Sequence, residues 1–234
     1  MTIQKMKATI TGCADLSESA REIQLHTSTP FAFQPGSFVN VFFSLDGKMI
    51  RRAYSISSDA VDENNLTLSI RKTPNGTAGR FFWKDNLVGT EIEIQGPLGL
   101  NTADKMHHQR VFLFGFGIGV SVIKALAHHI TKRPDVHEVV IMTGNRDKQD
   151  LLYTSFFEDL SQRFPHVTYH YTMSRALETT PLEHRGYIQD HIAHLNFDNS
   201  DVYICGQGVA CTALLEKIKA THPTDCTFFV EAFH

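Results

Sequence analysis

The chain has 234 residues, 42% of them apolar, with 17 phenylalanines, which is enough for one large core or two ordinary ones. A formal net charge of −3 leaves no basic surplus for a polyanion, so no nucleic acid is expected as a partner. No apolar run is long enough to span a bilayer, residues 1–7 lack the apolar stretch of a signal peptide, and the four cysteines are scattered, so a soluble, reduced, cytoplasmic protein is expected.

Up to about Gln95, short strands are broken by turn signals. Leu66-Thr67-Leu68-Ser69-Ile70 and Glu91-Ile92-Glu93-Ile94 alternate apolar and polar residues, as half-buried strands do. Phe33-Gln34-Pro35-Gly36 and Asp46-Gly47 are turns, the second flanked by strands as in a hairpin. Many short strands with little helical periodicity predict a small antiparallel β-barrel, closed off by Gly96-Pro97-Leu98-Gly99.

Within that section Arg51-Arg52-Ala53-Tyr54-Ser55 reads as a strand in which Arg52 and Tyr54 share a face and Ser55 turns to the other. A guanidinium two residues from an aromatic ring suits a ligand with both a phosphate and a flat ring. An exposed edge strand with an ordinary arginine and tyrosine is the plain alternative. Gly76-Thr77-Ala78-Gly79-Arg80, small residues opening a helix through Phe81-Phe82-Trp83, is a second candidate anion site; a loop that merely starts a helix is its alternative.

Residues 101–109 are polar and read as a linker, after which the rhythm changes. Val111-Phe112-Leu113-Phe114, Val139-Val140-Ile141-Met142, Val202-Tyr203-Ile204-Cys205 and Phe228-Phe229-Val230 are nearly continuous apolar runs, the mark of strands buried on both faces of a parallel sheet. Residues 167–171 add a further strand. Ile123, Leu126, Ala127 and Ile130, then Leu152, Phe156 and Leu160, repeat at helical spacing between them. The prediction is two domains: an antiparallel β-barrel over residues 1–105, then an α/β doubly wound parallel sheet over residues 106–234.

Gly115-Phe116-Gly117-Ile118-Gly119 follows one such strand and opens a helix, where glycines let backbone approach a pyrophosphate. The third glycine of a full dinucleotide fingerprint is missing, its place being Ser121 or nearby, and a tight turn with no ligand would look similar. Cys205-Gly206-Gln207-Gly208 ends another strand at the sheet edge where ligands bind; a buried cysteine before a turn is the alternative. Among thirteen histidines, His191 and His194 could share a face, but no carboxylate or cysteine completes a ligand set, so no metal is expected.

Taken in order, Arg-x-Tyr-Ser, the glycine-rich helix start, Gly-Pro-x-Gly, the glycine-rich turn, Cys-Gly and the terminal Glu-x-aromatic resemble the ferredoxin–NADP reductase superfamily of flavoenzymes almost end to end. The resemblance implies an FAD-binding barrel followed by an NAD(P)-binding domain. It gives Arg52 to the FAD pyrophosphate, Tyr54 to stacking on the isoalloxazine, and Ser55 to a hydrogen bond near flavin N5. Ser69, Ile70 and Arg71 match the strand along the flavin, and Gly76, Thr77, Ala78 and Gly79 the pyrophosphate-binding helix start. Gly117, Gly119 and Ser121 would receive the nicotinamide dinucleotide. Cys205, with Gly206, and Glu231 correspond to the pair beside nicotinamide C4 and flavin N5. Phe233 matches the aromatic that covers the flavin until nicotinamide displaces it, and His234 the extra residue of bacterial ferredoxin/flavodoxin reductases, which reaches along the FAD. Ser174, Arg175, Tyr187 and Gln189 stand where relatives hold the ribose 2′-phosphate, a slight tilt toward NADPH with NADH left open. Arg146 is a further nucleotide contact or a surface arginine.

The departures are Phe116 and Val122, where the family has glycine and proline, Gln207 for a proline after Cys-Gly, and Gly79 in place of a capping serine or threonine. Phe116 is expected to be the residue most able to obstruct the pyrophosphate. The activity implied is hydride transfer from NADPH or NADH to FAD, followed by single electrons to a separate carrier such as ferredoxin or flavodoxin, with the protein a monomer. The reductase component of an oxygenase, a flavin or ferric reductase, and a non-enzymatic electron-transfer or redox-sensing subunit are the alternatives.

Overall fold

The alternation in the first hundred residues is realised as six antiparallel strands: β1 (Gln4–Ser17), β2 (Ala20–Thr27), β3 (Phe38–Leu45), β4 (Lys48–Ser55), β5 (Asn65–Arg71) and, after the short helix α1 (Thr77–Phe82), β6 (Glu91–Leu98). The protein is described from a computed structural model, covering residues 2–175 and 183–233. The sheet runs β4-β3-β6-β1-β2-β5. A register shift between Ile10 and Gly12 bends β1, so one long strand pairs with β6 through its first half and with β2 through its second. The two end strands meet in an Ile56–Leu68 bridge, beside which the Ser57 amide donates to the Thr67 carbonyl at 2.8 Å, and the sheet curls into a barrel. Ile10, Ile23, Leu25, Val41, Leu68 and Ile94 fill it completely buried. Phe82 of α1 is as fully enclosed, and Phe81 lies against Phe43 with ring centroids 4.4 Å apart; each buried ring contributes roughly 1.5–3 kcal/mol of transfer free energy.

The continuous apolar runs become a parallel sheet: β7 (Arg110–Phe116), β8 (Glu138–Asn145), β9 (Val167–Met173), β10 (Glu183–Arg185), β11 (Ser200–Gln207) and β12 (Cys226–Phe233), in the order β10-β9-β8-β7-β11-β12. The chain winds outward from β7 in both directions, so the strand order reverses between β7 and β11. Helices α2 (Val120–Ile130) and α3 (Thr154–Arg163) contact β7 and β9, and α4 (Gly208–Lys219) contacts β11 and β12. Phe112, Phe114, Val140 and Met142 pack with Cys211, Leu214 and Ile218 of α4 and with Ile188 and Phe197. Burial on both faces is why these strands show no alternation.

The chain divides into Met1–Thr102 and Ala103–His234, placing the division after Thr102 rather than after residue 105. The stretch read as a linker is fastened down. Thr102 and Ala103 are buried, Ala103–Lys105 form a turn of 3₁₀ helix, and the amides of His107 and His108 both donate to Asp201 at 2.7 Å. Asp201 is wholly buried, and a buried carboxylate demands donors. The backbone amides of His107 and His108, with the His108 ring, supply them.

Candidate functional site

In the first unit, β4 pairs with β3 so that Arg52 stands opposite Val41 and Tyr54 opposite Val39. Arg52 reaches the start of α1: its Nη2 donates to Thr77 Oγ1 at 3.2 Å, while Nη1 donates to the Arg51 carbonyl at 2.8 Å. Gly76 caps that helix in an extended conformation, φ −72° and ψ 142°, without a side-chain cap. The amides of Thr77, Ala78 and Gly79 open the helix and have no intrahelical acceptor. A guanidinium, a hydroxyl and helix-opening amides therefore converge on one point, which suits an anion.

Tyr54 lies edge-on to Phe82, centroids 5.8 Å apart at 89°. Its hydroxyl is buried and has no hydrogen-bond partner among the described residues, and burial pushes the phenol above its ordinary pKa. An unsatisfied buried hydroxyl costs roughly 1–3 kcal/mol, so this group fits a ligand that supplies the missing bond and a flat face. Ser55 ends β4 opposite Phe38. Of the next strand's three candidates, Ser69 is buried and Arg71 exposed, but Ile70 is wholly buried in the barrel core. Strand alternation points its side chain inward, so Ile70 can offer a ligand only its backbone.

In the second unit, the ends of β7 and β11 lock together through two glycines. A Cβ on Gly119 would come 2.4 Å from the Cys205 carbonyl oxygen, and one on Gly206, whose φ is +141°, 2.4 Å from the Phe116 carbonyl oxygen. These glycines answer first to the packing of two turns. The residues after β7 form a 3₁₀ turn, Gly117–Gly119, before α2 begins. Ser121 is buried and its hydroxyl donates to the Ile118 carbonyl at 2.8 Å, so its side chain holds the turn. Phe116 likewise departs from expectation. It is 9% exposed and packs in the core against Gly144 and Ile188, which takes its ring away from the turn it was expected to obstruct.

Strand register puts Cys205 beside Glu231, Gly206 beside Ala232 and Gln207 beside Phe233. Burial holds the Cys205 thiol well above its ordinary pKa, and the Glu231 carboxylate and the Cys211 thiol push the same way. Burial therefore favours the neutral thiol at Cys205. Glu231 and Phe233 are half-buried; His234 lies outside the described residues.

Beyond β8 and β9 the backbone of Ser174 and Arg175 donates to the carbonyls of Asn145 and Arg146 at 3.1 and 3.0 Å. Arg175 pairs with Asp147 at 3.3 Å, and the Arg146 side chain is exposed. Tyr187 is 59% exposed, while Gln189 buries an unpartnered Oε1. The sequence reading missed Asn145. Both polar atoms of its amide are buried without a partner among the described residues, at the C-terminal end of β8, where such sheets bind ligands. Its place just after an apolar run was the available signal.

The comparisons with known proteins agree with this arrangement. The chain matches a family model described as an oxidoreductase FAD-binding domain over residues 7–102 and one described as an oxidoreductase NAD-binding domain over residues 113–214. It is 24% identical over 237 residues to the reductase component of phenol 2-monooxygenase from Pseudomonas sp. strain CF600, covering 99% of this chain and 66% of that one. The chain spans about half to two thirds of the length of the curated relatives it matches. In fold it resembles the ferredoxin reductase in carbazole 1,9a-dioxygenase, with TM-score 0.83 and 20% identity, over 100% of this chain and 70% of that one. It also resembles a ferredoxin NADP+ reductase from Neisseria gonorrhoeae with bound FAD and NADP, with TM-score 0.82 and 14% identity, over 97% and 98% of the two chains. A curled antiparallel barrel matching the FAD-binding family, followed by a parallel sheet matching the NAD-binding family, places this chain in the ferredoxin–NADP reductase superfamily.

Proposed function

We propose that the protein takes electrons from NADH or NADPH through FAD and delivers them singly to a separate carrier protein, as the reductase component of an oxygenase system. The observation that carries this reading is the convergence of Arg52, Thr77 and the α1 amides beside the buried, unpartnered hydroxyl of Tyr54. Bound FAD would supply the redox chemistry, accepting a two-electron hydride from nicotinamide and releasing electrons one at a time.

The chain's own residues bind and orient. Arg52 and the amides of Thr77, Ala78 and Gly79 hold the pyrophosphate, Tyr54 gives the flavin ring a face and a hydrogen bond, and Ser55 donates at its reacting edge. Ser69 and Arg71 contribute side chains along the ring, and Ile70 its backbone. In the second unit Gly117 and Gly119 bring backbone to the dinucleotide, and Asn145, Gln189, Arg175 and Arg146 meet its polar groups. Cys205, Gly206, Glu231 and Phe233 shape the nicotinamide end, with the neutral thiol excluding water from it. Similarity to the reductases of phenol 2-monooxygenase and carbazole 1,9a-dioxygenase favours an oxygenase component over a free-flavin or ferric reductase.

Reconstitution with FAD followed by anaerobic titration with NADH and with NADPH tests this directly. Retention of a yellow flavin through gel filtration, then bleaching by one of the two nucleotides, is expected. A protein that refuses FAD, or a bound flavin that neither nucleotide bleaches, would overturn the reading.

A further inference from the structure

On the face of the parallel sheet that carries α4, strands β8, β9 and β10 border a cavity of about 590 Å³. Four histidines line it: His170 on β9, His184 on β10, and His191 and His194 beyond the turn Ile188–Asp190. His170 Nδ1 and His184 Nε2 stand 3.3 Å apart, a separation at which one ring must donate and the other accept. The His184 ring lies 4.7 Å from that of His191, tilted by 31°, and His191 Nε2 donates to the Arg185 carbonyl at 2.8 Å. One proton between the first two rings ties β10 to β9. A second proton at that contact sets donor against donor, and charging both rings sets cation against cation.

The surrounding charges have other partners. Glu138 of β8 is held by Arg110 at 2.5 Å. Glu183 accepts from the Tyr171 hydroxyl at 2.8 Å, Asp190 accepts the Tyr187 amide at 3.0 Å, and the Arg185 side chain is exposed. Burial, then the neighbouring histidines, hold His170 and His184 below their ordinary pKa. Among the described residues no group of three or more His, Cys, Asp or Glu is arranged around a metal.

We propose that the four imidazoles make β10 and the turn after it a proton-operated latch, held on the sheet while the rings are neutral and released when they charge. β10 is three residues long and sits at the sheet edge, so few backbone bonds oppose its release, and the buried side chain of Ile188 is the core contact that release must break. Tyr187 and Gln189 lie between His184 and His191 and move with it. Their loss from the nucleotide is the one part that rests on the proposed function.

Hydrogen exchange of the FAD-reconstituted protein at about pH 7.5 and about pH 5.5, either side of the ordinary histidine range and corrected for intrinsic rates, reads the latch without reference to activity. Amides of residues 185–191 should lose about tenfold in protection at the lower pH, the factor carried by one pKa unit of linkage, while those of β8 keep theirs. The double variant His170→Gln/His184→Gln, which keeps polar side chains without the charge, should abolish the difference. His194→Gln, at an exposed position, should reduce it. Equal wild-type protection at both pH values, or a drop that survives in both variants, overturns the latch. So does a loss of protection at pH 7.5 produced by micromolar zinc alone. Dinucleotide affinity measured at both pH values separates the two claims: release without weakened binding upholds the latch and removes Tyr187 and Gln189 from the nucleotide site.

Discussion

Replacing Asp201 with alanine removes the acceptor that anchors residues 107 and 108 to the second unit. Its carboxylate takes the amides of His107 and His108 at 2.7 Å each and His108 Nδ1 at 3.0 Å, from a fully buried position. Hydrogen bonds to a charged group contribute roughly 1.5–3 kcal/mol each, and three that share one acceptor do not add in full, so a loss of about 4 kcal/mol is expected. Far-UV circular dichroism through urea unfolding is the suitable probe, because the single tryptophan, Trp83, belongs to the first unit. The pH dependence supplies a second test. Burial opposes the charged form of His108, but its hydrogen bonds to Asp201 and Asp225 outweigh that and raise its pKa above the ordinary value. A histidine with a raised folded pKa stabilises fully below its unfolded value, about 6.5, and loses that contribution as pH rises through the folded one. The gap between wild type and Asp201→Ala should therefore narrow from pH 5.5 to pH 9, on either side of that value. A loss below about 1 kcal/mol, or a gap that widens as pH rises, would refute the anchor.

Tyr54→Phe removes a hydroxyl with no partner among the described residues, so the apoprotein should hold its stability or gain up to about 1 kcal/mol, while FAD affinity falls about fivefold to tenfold; calorimetry of both forms checks it, and a destabilised apoprotein counts against a ligand-directed hydroxyl. Gly206→Ala forces a left-handed φ on alanine and drives its Cβ into the Phe116 carbonyl, for an expected cost of about 3 kcal/mol or more. Gly47→Ala, at φ +74° with nothing within 4 Å, should cost only about 1–2 kcal/mol, and thermal melts of the two variants compare them. Iodoacetamide at mildly alkaline pH should alkylate exposed Cys13 in the native protein and spare buried Cys205, whose raised pKa keeps it a thiol; peptide mass spectrometry decides between them.

Legibility followed the range of the interaction. The strands of the parallel sheet could be read because burial on both faces writes itself as unbroken apolar runs, and the strand carrying Arg52 and Tyr54 and the helix that follows Gly76 could be read because their spacing is local. Three details could not be read, each for a physical reason. Phe116 occupies the position of a missing glycine, and only the packing of Gly144 and Ile188 around it shows that the ring turns into the core. The place of Ser121 in the motif says nothing of the Ile118 carbonyl to which its hydroxyl donates. Asn145 carries no motif at all, and its value lies in an amide left without partners by the fold around it.

Strand β11 links two features that the sequence keeps far apart. At its start Asp201 grips residues 107 and 108, and at its end Cys205 and Gly206 wedge against the turn after β7. Four residues of extended chain separate the two, about 13 Å at the usual rise, and the ladders on both sides stiffen them. A change that loosens Asp201 at one end of β11 is therefore felt by a strand whose other end is fixed against the turn after β7.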